Sequence, residues 1–336
     1  MTDAELATKA PESDAQDTNT PPPPSDSPAA TPTPTNPLSE HCTSDRPTPT
    51  GLSSTGELTK LNDVDVYISK PPDYPHTPSR LLLLLTGGTG LHSVNNQIQA
   101  DRFASEGYVV VMPDLFAGDP APNSRAAADM AVAAEASSSG SSSLLDVFKV
   151  KAAEAAKSFL IDMWLARHTE EKVLPILERV LEGARDEFAD AVSHGGGVYA
   201  VGYCFGARYI LLLAAERPSP SGQRQGQGDE EANRPAVVAP RIKAGALAHA
   251  TLVSKGDFGG LKAPLSVVCV ENDPLFPDEV RIAGEEYMSE NGVEHEVQVY
   301  PGVPHGFAVV GDYEDANIKI AQVTAFEQML KWINEH

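Results

Sequence analysis

Apolar and polar positions follow two different periods along most of the chain, and the two periods indicate strands and helices. Leu81 to Leu85 is continuously apolar, which is typical of a strand buried on both faces of a sheet. Val64, Val66 and Ile68 alternate with polar neighbours, as in a strand near a sheet edge. Further strands are predicted at 108–112, 198–201, 242–247, 265–270 and 294–300.

Helices are predicted between these strands. From about Lys172 to Phe188 one apolar face recurs at three- and four-residue spacings, carried by Val173, Leu177, Val180, Ala184 and Phe188. Other helices open at Ser93 and run from about Asp278 to Ser289. The apolar side of the last helix is predicted to carry Ala316, Ile320, Val323, Leu330 and Ile333. This alternation predicts an α/β fold with a mostly parallel central sheet covered by helices on both faces.

Three stretches break the pattern. Residues 1–50 consist mainly of Pro, Thr, Ser, Asp and Ala, so we expect a disordered tail ahead of one folded domain at 51–336. Such a tail either has no dedicated role or serves in docking or regulation. The Ala- and Ser-rich stretch 120–145 is either a lid or a plain flexible loop, and the aperiodic stretch 217–238 is expected to be a flexible surface insertion.

Composition narrows the class of protein. The formal charge of −22 argues against nucleic acid or anionic membranes as partners. No signal-peptide pattern and no apolar run of bilayer length is present in the sequence. Three cysteines without a CxxC pair suit a reducing compartment. We therefore expect a soluble, cytoplasmic protein with no membrane partner, and nothing in the sequence points to a protein partner.

The segment Gly202-Tyr203-Cys204-Phe205-Gly206 joins a predicted strand to a predicted helix at 207–215. This is the setting of a nucleophile elbow, with cysteine as the nucleophile, and small residues two positions before and after it avoid collisions in the tight turn. The helix N-terminus is expected to favour the thiolate. A buried structural cysteine in a tight turn fits the same pentapeptide, so the candidate partners of Cys204 decide between the two.

Asp273 and His305 are the candidate partners. Each follows a predicted strand, and both come after Cys204 in the order nucleophile, acid, histidine. Asp273 is preferred to Glu271 because it lies farther past its strand. The sequence suggests no base near the other two cysteines, Cys42 in the tail and Cys269 in an apolar run.

An acyl-transfer site also needs donors for the oxyanion. The predicted donors are the backbone N–H of Phe205 and the Gly-rich loop at 86–90, with Gly87 and Gly88. That loop lacks the spacing of a phosphate-binding or dinucleotide-binding loop, and no metal-ligand spacing is evident, so no cofactor and no metal are expected. Candidate pocket-lining residues, all near strand ends, are His92, His249 and Tyr203.

Together these residues resemble the dienelactone hydrolase (carboxymethylenebutenolidase) family of the α/β-hydrolase superfamily over roughly residues 51–336. The resemblance rests on the elbow, Pro113-Asp114-Leu115-Phe116, Asp273 and Pro304-His305-Gly306-Phe307. It implies a Cys204-Asp273-His305 triad that opens a lactone ring. Bacterial members carry a Glu near the nucleophile that assists its ionisation, whereas this chain has Gly87-Gly88 in that neighbourhood.

The predicted function is hydrolysis of a small-molecule lactone or activated (enol) ester through a thioacyl-enzyme. A cysteine nucleophile favours lactones, enol esters and thioesters over amides, because the substrate's leaving group has to depart in preference to sulfur. Two alternatives remain open. One is a tailoring hydrolase or isomerase of a polyketide-like or aromatic metabolite, and the other is a hydrolase-like protein that only binds a small molecule.

Overall fold

The computed structural model describes residues 40–122, 158–218 and 237–336. Residues 1–39 of the predicted tail, residues 123–145 of the expected lid or loop, and residues 219–236 of the expected insertion lie outside this part of the chain. Within it, no helix combines the length and the apolar character that crossing a membrane requires.

An eight-stranded sheet forms the centre, in the order β1-β2-β4-β3-β5-β8-β9-β10. Its strands are β1 Glu57–Leu61, β2 Val64–Ser69, β3 Arg80–Leu85, β4 Tyr108–Pro113, β5 Val198–Tyr203, β8 Ala244–Ala248, β9 Leu265–Val270 and β10 His295–Tyr300. β2 is antiparallel to β1 and β4, and every other pairing is parallel. A separate antiparallel pair joins β6 Arg217–Pro218 to β7 Val237–Val238. The mostly parallel sheet predicted from the sequence is confirmed.

One short helix precedes the strands, and the other helices lie between or after them. The helices are α1 Glu40–Thr43, α2 Val94–Ser105, α3 Glu170–Glu187, α4 Ala189–Gly195, α5 Phe205–Ala214, α6 Asp278–Glu290 and α7 Ala316–Glu335, with further helix at 158–167. Helix α2 begins where Ser93 caps it, since the Ser93 hydroxyl accepts a hydrogen bond from the Asn96 backbone N–H.

The core lies on both faces of the sheet, and β3 contributes side chains to each face. Leu81, Leu83 and Leu85 pack in one apolar cluster, whereas Leu82 and Leu84 pack in the other. A strand in the middle of a sheet covered on both sides buries every side chain, which explains the unbroken leucine run. The carboxyl ends of β5, β9 and β10 consequently meet at one edge of a rigid scaffold.

The two predicted helix faces differ in outcome. The four predicted positions within α3 and Phe188 directly after it are all buried, which confirms the apolar face. For α7 the prediction is confirmed only in part, because Ile333 is buried whereas Ile320 and Val323 are 65% and 47% exposed. The buried residues of α7 are Ala325, Phe326, Met329, Trp332 and Ile333. The helix packs on β8 and β9, and Ile333 is the residue that the predicted and the buried sets share.

Residues 42–48 form a strap across the carboxyl edge of the sheet, although the sequence placed them in the tail. The Ser93 hydroxyl donates to the Asp45 carboxylate at 2.8 Å, and the Asn95 side chain donates to the Arg46 carbonyl at 2.7 Å. The Asp312 backbone N–H donates to the Pro47 carbonyl. Polar side chains and backbone groups therefore hold this segment in place. The pattern of apolar residues in a sequence does not predict contacts of this kind.

Candidate active site

Cys204 occupies the turn between β5 and α5 with φ +49° and ψ −112°. This strained conformation is held by its surroundings, because the Cys204 N–H donates to the Ala248 carbonyl and the Gly206 N–H donates to the Thr86 carbonyl. The turn has the geometry of a nucleophile elbow, in which the side chain stands at the carboxyl edge of the sheet.

Both elbow glycines are sterically required. A Cβ on Gly202 would lie 2.5 Å from Ile210 Cγ1, and one on Gly206 would lie 2.5 Å from the backbone of Leu85. Gly87 packs against the elbow from the neighbouring loop, where a Cβ would lie 3.1 Å from Cys204 Cβ. Strand β3, strand β5 and helix α5 therefore meet at the elbow closely enough to exclude larger residues.

Two backbone N–H groups, those of Phe205 and Gly88, hydrogen-bond to the Cys204 sulfur and lower its pKa. They come from the two segments in which the sequence predicts oxyanion donors. Burial nevertheless outweighs them, and together with the adjacent Cys42 thiol it holds the pKa of Cys204 well above the ordinary value. The position of Cys204 at a helix N-terminus predicts a lowered pKa, and for this buried site that prediction is wrong.

His305 and Asp273 lie together beside the elbow. The His305 Nδ1 is 2.6 Å from Asp273 Oδ2, and both side chains are buried. Asp273 also accepts the Leu275 backbone N–H, which fixes the carboxylate. Burial opposes a charged His305 imidazole, but the facing Cys42 thiol and the Asp273 carboxylate outweigh it and raise the pKa of His305 to about 9.

Cys42 is the residue that the sequence analysis missed. Its side chain is 1% exposed, and its Sγ lies 2.8 Å from Cys204 Sγ. The ligating atoms of Cys42, Cys204 and His305 all lie within 4.8 Å of one another. The group beside the candidate nucleophile is thus a second thiol. The only sign of Cys42 in the sequence is a cysteine within a polar segment. Nothing in the sequence links it to Cys204, which lies 162 positions away.

A small cavity of about 30 Å³ lies over Cys204, between the strap and the loops that follow the strands. Of the predicted lining residues, His249 lines this cavity, and its ring centroid is 5.1 Å from that of His305. Tyr203 is buried away from it and accepts a hydrogen bond from the Gln99 side chain. His92 is exposed and is not among the residues that line the cavity.

Comparisons with known proteins show which family the chain is similar to. The dienelactone hydrolase family model matches residues 64–336. Hydrolase pyvD of Aspergillus violaceofuscus is 30% identical over 281 residues, covering 84% of this chain and 90% of that protein. Hydrolase tropI of Talaromyces stipitatus is 29% identical over 282 residues, covering 84% and 90%.

Among solved structures, a Klebsiella pneumoniae protein described as a dienelactone hydrolase has a TM-score of 0.57 at 17% identity, covering 84% of this chain and 99% of that one. At this identity the likeness shows the fold alone, and it confirms the α/β-hydrolase architecture. With the family match across most of the sequence, the chain belongs to the dienelactone hydrolase family and is an ester and lactone hydrolase.

Proposed function

We propose that the protein opens a lactone or cleaves an activated ester with Cys204 as nucleophile, His305 as base and then acid, and Asp273 as the group that orients His305. One observation carries the proposal. The backbone N–H groups of Phe205 and Gly88 hydrogen-bond to the Cys204 sulfur, and the buried His305-Asp273 pair lies within reach of the same sulfur. This is the combination of nucleophile, base, orienting acid and oxyanion donors that acyl transfer requires.

In the first step, once displacement of Cys42 has removed a main cause of the raised pKa of His305, the Cys204 proton passes to the neutral imidazole and the sulfur attacks the substrate carbonyl carbon. The carbonyl π electrons move to oxygen, and the N–H groups of Phe205 and Gly88 are the proposed donors to this oxyanion. Gly87 has no side chain and leaves room for the carbonyl beside the elbow. For the attack to occur, the substrate has to displace the Cys42 side chain from its position next to Cys204.

In the second step the tetrahedral intermediate collapses, the ring C–O bond breaks, and His305 gives its proton to the departing oxygen. A thioester to Cys204 remains. Water then loses a proton to His305 and attacks the thioester carbon. The C–S bond breaks, the departing Cys204 sulfur takes the proton back from His305, and a carboxylic acid is released. Asp273 accepts a hydrogen bond from Nδ1 throughout, so that Nε2 faces the reacting atoms.

The nucleophile sets the substrate class. A thiolate is itself a good leaving group, so the intermediate goes forward only when the substrate oxygen departs at least as readily. Enol lactones and aryl esters meet this condition because charge on the departing oxygen is delocalised, whereas amides do not.

Intact-mass spectrometry across a panel of enol lactones and aryl esters tests the proposal. Wild type should show an acyl adduct with at least one activated substrate, and the adduct should map to the elbow peptide. Cys204→Ala should show neither adduct nor turnover. Cys269→Ala is the matched control, because Cys269 is also a buried thiol but lies within β9.

Two results would contradict the proposal. The first is turnover by Cys204→Ala at the wild-type rate. The second is a wild-type protein that binds the substrates but neither acylates nor releases product, which would favour the non-catalytic alternative. His305→Gln compared with His295→Gln separates loss of the base from general effects of removing a histidine, since His295 lies in β10 and bonds the Val293 carbonyl.

A further inference from the structure

Cys42, Cys204 and His305 bring two thiol sulfurs and one imidazole together in a buried cluster. Their ligating atoms all lie within 4.8 Å of one another. The two sulfurs are 2.8 Å apart, and the three side chains come from the strap, the elbow and the loop after β10. Of these three side chains, the proposed hydrolysis uses only Cys204 and His305. It does not explain why the Cys42 thiol is buried beside them.

The donor set is specific in its chemistry. Two thiolates and one imidazole suit a borderline-soft transition metal such as Zn²⁺, whereas Mg²⁺ and Ca²⁺ prefer oxygen ligands. Zinc sites with two cysteines, one histidine and a water as fourth ligand occur among zinc enzymes. The cavity of about 30 Å³ that borders Cys42 and Cys204 has room for such a water.

His305 is already oriented as a metal-binding histidine. Its Nδ1 is engaged by the buried Asp273 carboxylate at 2.6 Å, so Nε2 is the nitrogen that can ligate. Zinc-binding histidines commonly make this second hydrogen bond to a carboxylate, which fixes the tautomer and the ring orientation.

The required adjustment is small. Two sulfurs on one tetrahedral Zn²⁺ are separated by roughly 3.8 Å, given Zn–S bonds of about 2.3 Å. Cys204 is fixed by its turn, whereas Cys42 lies on the strap, which polar contacts hold. A shift of Cys42 Sγ by about 1 Å would bring the two sulfurs to the tetrahedral spacing.

We propose that Cys42, Cys204 and His305 form a Zn²⁺ site with one water as the fourth ligand. Bound Zn²⁺ would occupy the nucleophile and the base of the hydrolytic reaction at once, so the loaded form is inactive and removal of the metal restores turnover. The inhibition rests on the proposed function. The site itself rests only on the donor geometry, and it is tested by direct binding without substrate.

The test uses the full chain, kept reduced with a phosphine and stripped of metal, and titrated with Zn²⁺ against a chromophoric chelator. Wild type should take up one Zn²⁺ per chain. Asp273→Asn should bind Zn²⁺ about 10- to 100-fold more weakly, which is the usual effect of removing a group that hydrogen-bonds to a metal ligand. Cys42→Ser removes a ligand itself, so its affinity for Zn²⁺ should fall by more than about 100-fold. Cys269→Ser, which alters a buried thiol outside the cluster, should retain the wild-type affinity.

Co²⁺ provides a spectroscopic readout. Wild type should show thiolate-to-Co²⁺ charge-transfer absorption that weakens in Cys42→Ser and disappears when Cys204 is also replaced. Equal zinc affinity of wild type and Cys42→Ser would overturn the proposal. So would a Cys42–Cys204 disulfide that persists in reductant and excludes the metal. Loss of hydrolysis in Cys204→Ala has no bearing on these binding results, so the two proposals can fail separately.

Discussion

Nδ1 of His305 lies 2.6 Å from Oδ2 of Asp273, and the two residues belong to loops that leave the neighbouring parallel strands β10 and β9. Asp273 and His305 follow closely on the strand ends at Val270 and Tyr300, so the register of the two strands sets the distance between the side chains. A buried pair at this distance holds one imidazole tautomer, which presents Nε2 toward Cys204.

Asp273→Asn should lower kcat for an activated aryl ester by about 10²- to 10⁴-fold, because the amide leaves the ring in place but no longer favours the required tautomer. Steady-state kinetics at neutral pH measure the change. Glu271→Gln is the matched control, since Glu271 is exposed in the same loop and should leave kcat unaltered. Wild-type kcat in Asp273→Asn would exclude a role for this carboxylate.

The stability of the fold should fall as the pH rises past neutrality. The pKa of His305 is raised from 6.5 to about 9, so the folded state binds its proton more tightly than the unfolded chain does. The resulting stabilisation is complete below pH 6.5 and is lost as the pH rises to about 9, on the order of 3 kcal/mol in total.

Urea unfolding at a series of pH values measures this loss. The difference in unfolding free energy between wild type and His305→Gln removes the contributions of groups that both proteins share. That difference should shrink between pH 6.5 and 9, whereas His295→Gln should keep the wild-type pH dependence. A difference that stays constant across this range would show that the His305 pKa is not raised.

Gly206→Ala should destabilise the protein by about 1–3 kcal/mol, because the new methyl group collides with the backbone of Leu85 and forces the elbow apart. Chemical denaturation measures the loss. Gly256→Ala is a suitable control, since the nearest atom to a Cβ there is Ser254 Oγ at 3.7 Å. If both alanine variants unfolded at the same denaturant concentration, the steric argument for the elbow glycines would be incorrect.

Asn95→Ala should loosen the strap and speed the alkylation of Cys204. The Asn95 side chain bonds the Arg46 carbonyl and the Thr48 hydroxyl, and loss of two hydrogen bonds of about 1 kcal/mol each should raise the labelling rate about tenfold or more. Peptide-resolved mass spectrometry after iodoacetamide treatment distinguishes Cys204 from Cys42. The remote Asn291→Ala should label at the wild-type rate, and an unchanged rate in Asn95→Ala would show that the strap does not limit access.

Much of the candidate site could be anticipated from the sequence because parallel strands end at one edge of a sheet. Cys204, Asp273 and His305 each follow such a strand, so their order along the chain was enough to predict that they converge. The segments that supply the N–H groups to sulfur, at Phe205 and Gly88, follow from the same logic.

Cys42 could not be predicted in this way. Its segment is short, polar and far from the elbow in sequence, and what holds it is a set of hydrogen bonds to Ser93, Asn95 and Asp312 that have no periodic signature. Burial and Cys42 together raise the pKa of Cys204. The helix N-terminus alone predicts a lowered pKa, which is the wrong direction.

The small size of the cavity over Cys204 has a consequence for affinity. A space of about 30 Å³ admits a water, whereas pockets that enclose organic ligands typically measure about 300–1,000 Å³. A substrate can therefore bind only to the fraction of molecules in which the strap has moved aside. Its apparent dissociation constant equals the intrinsic one divided by that fraction, so residues of the strap that never touch substrate set how tightly it is held.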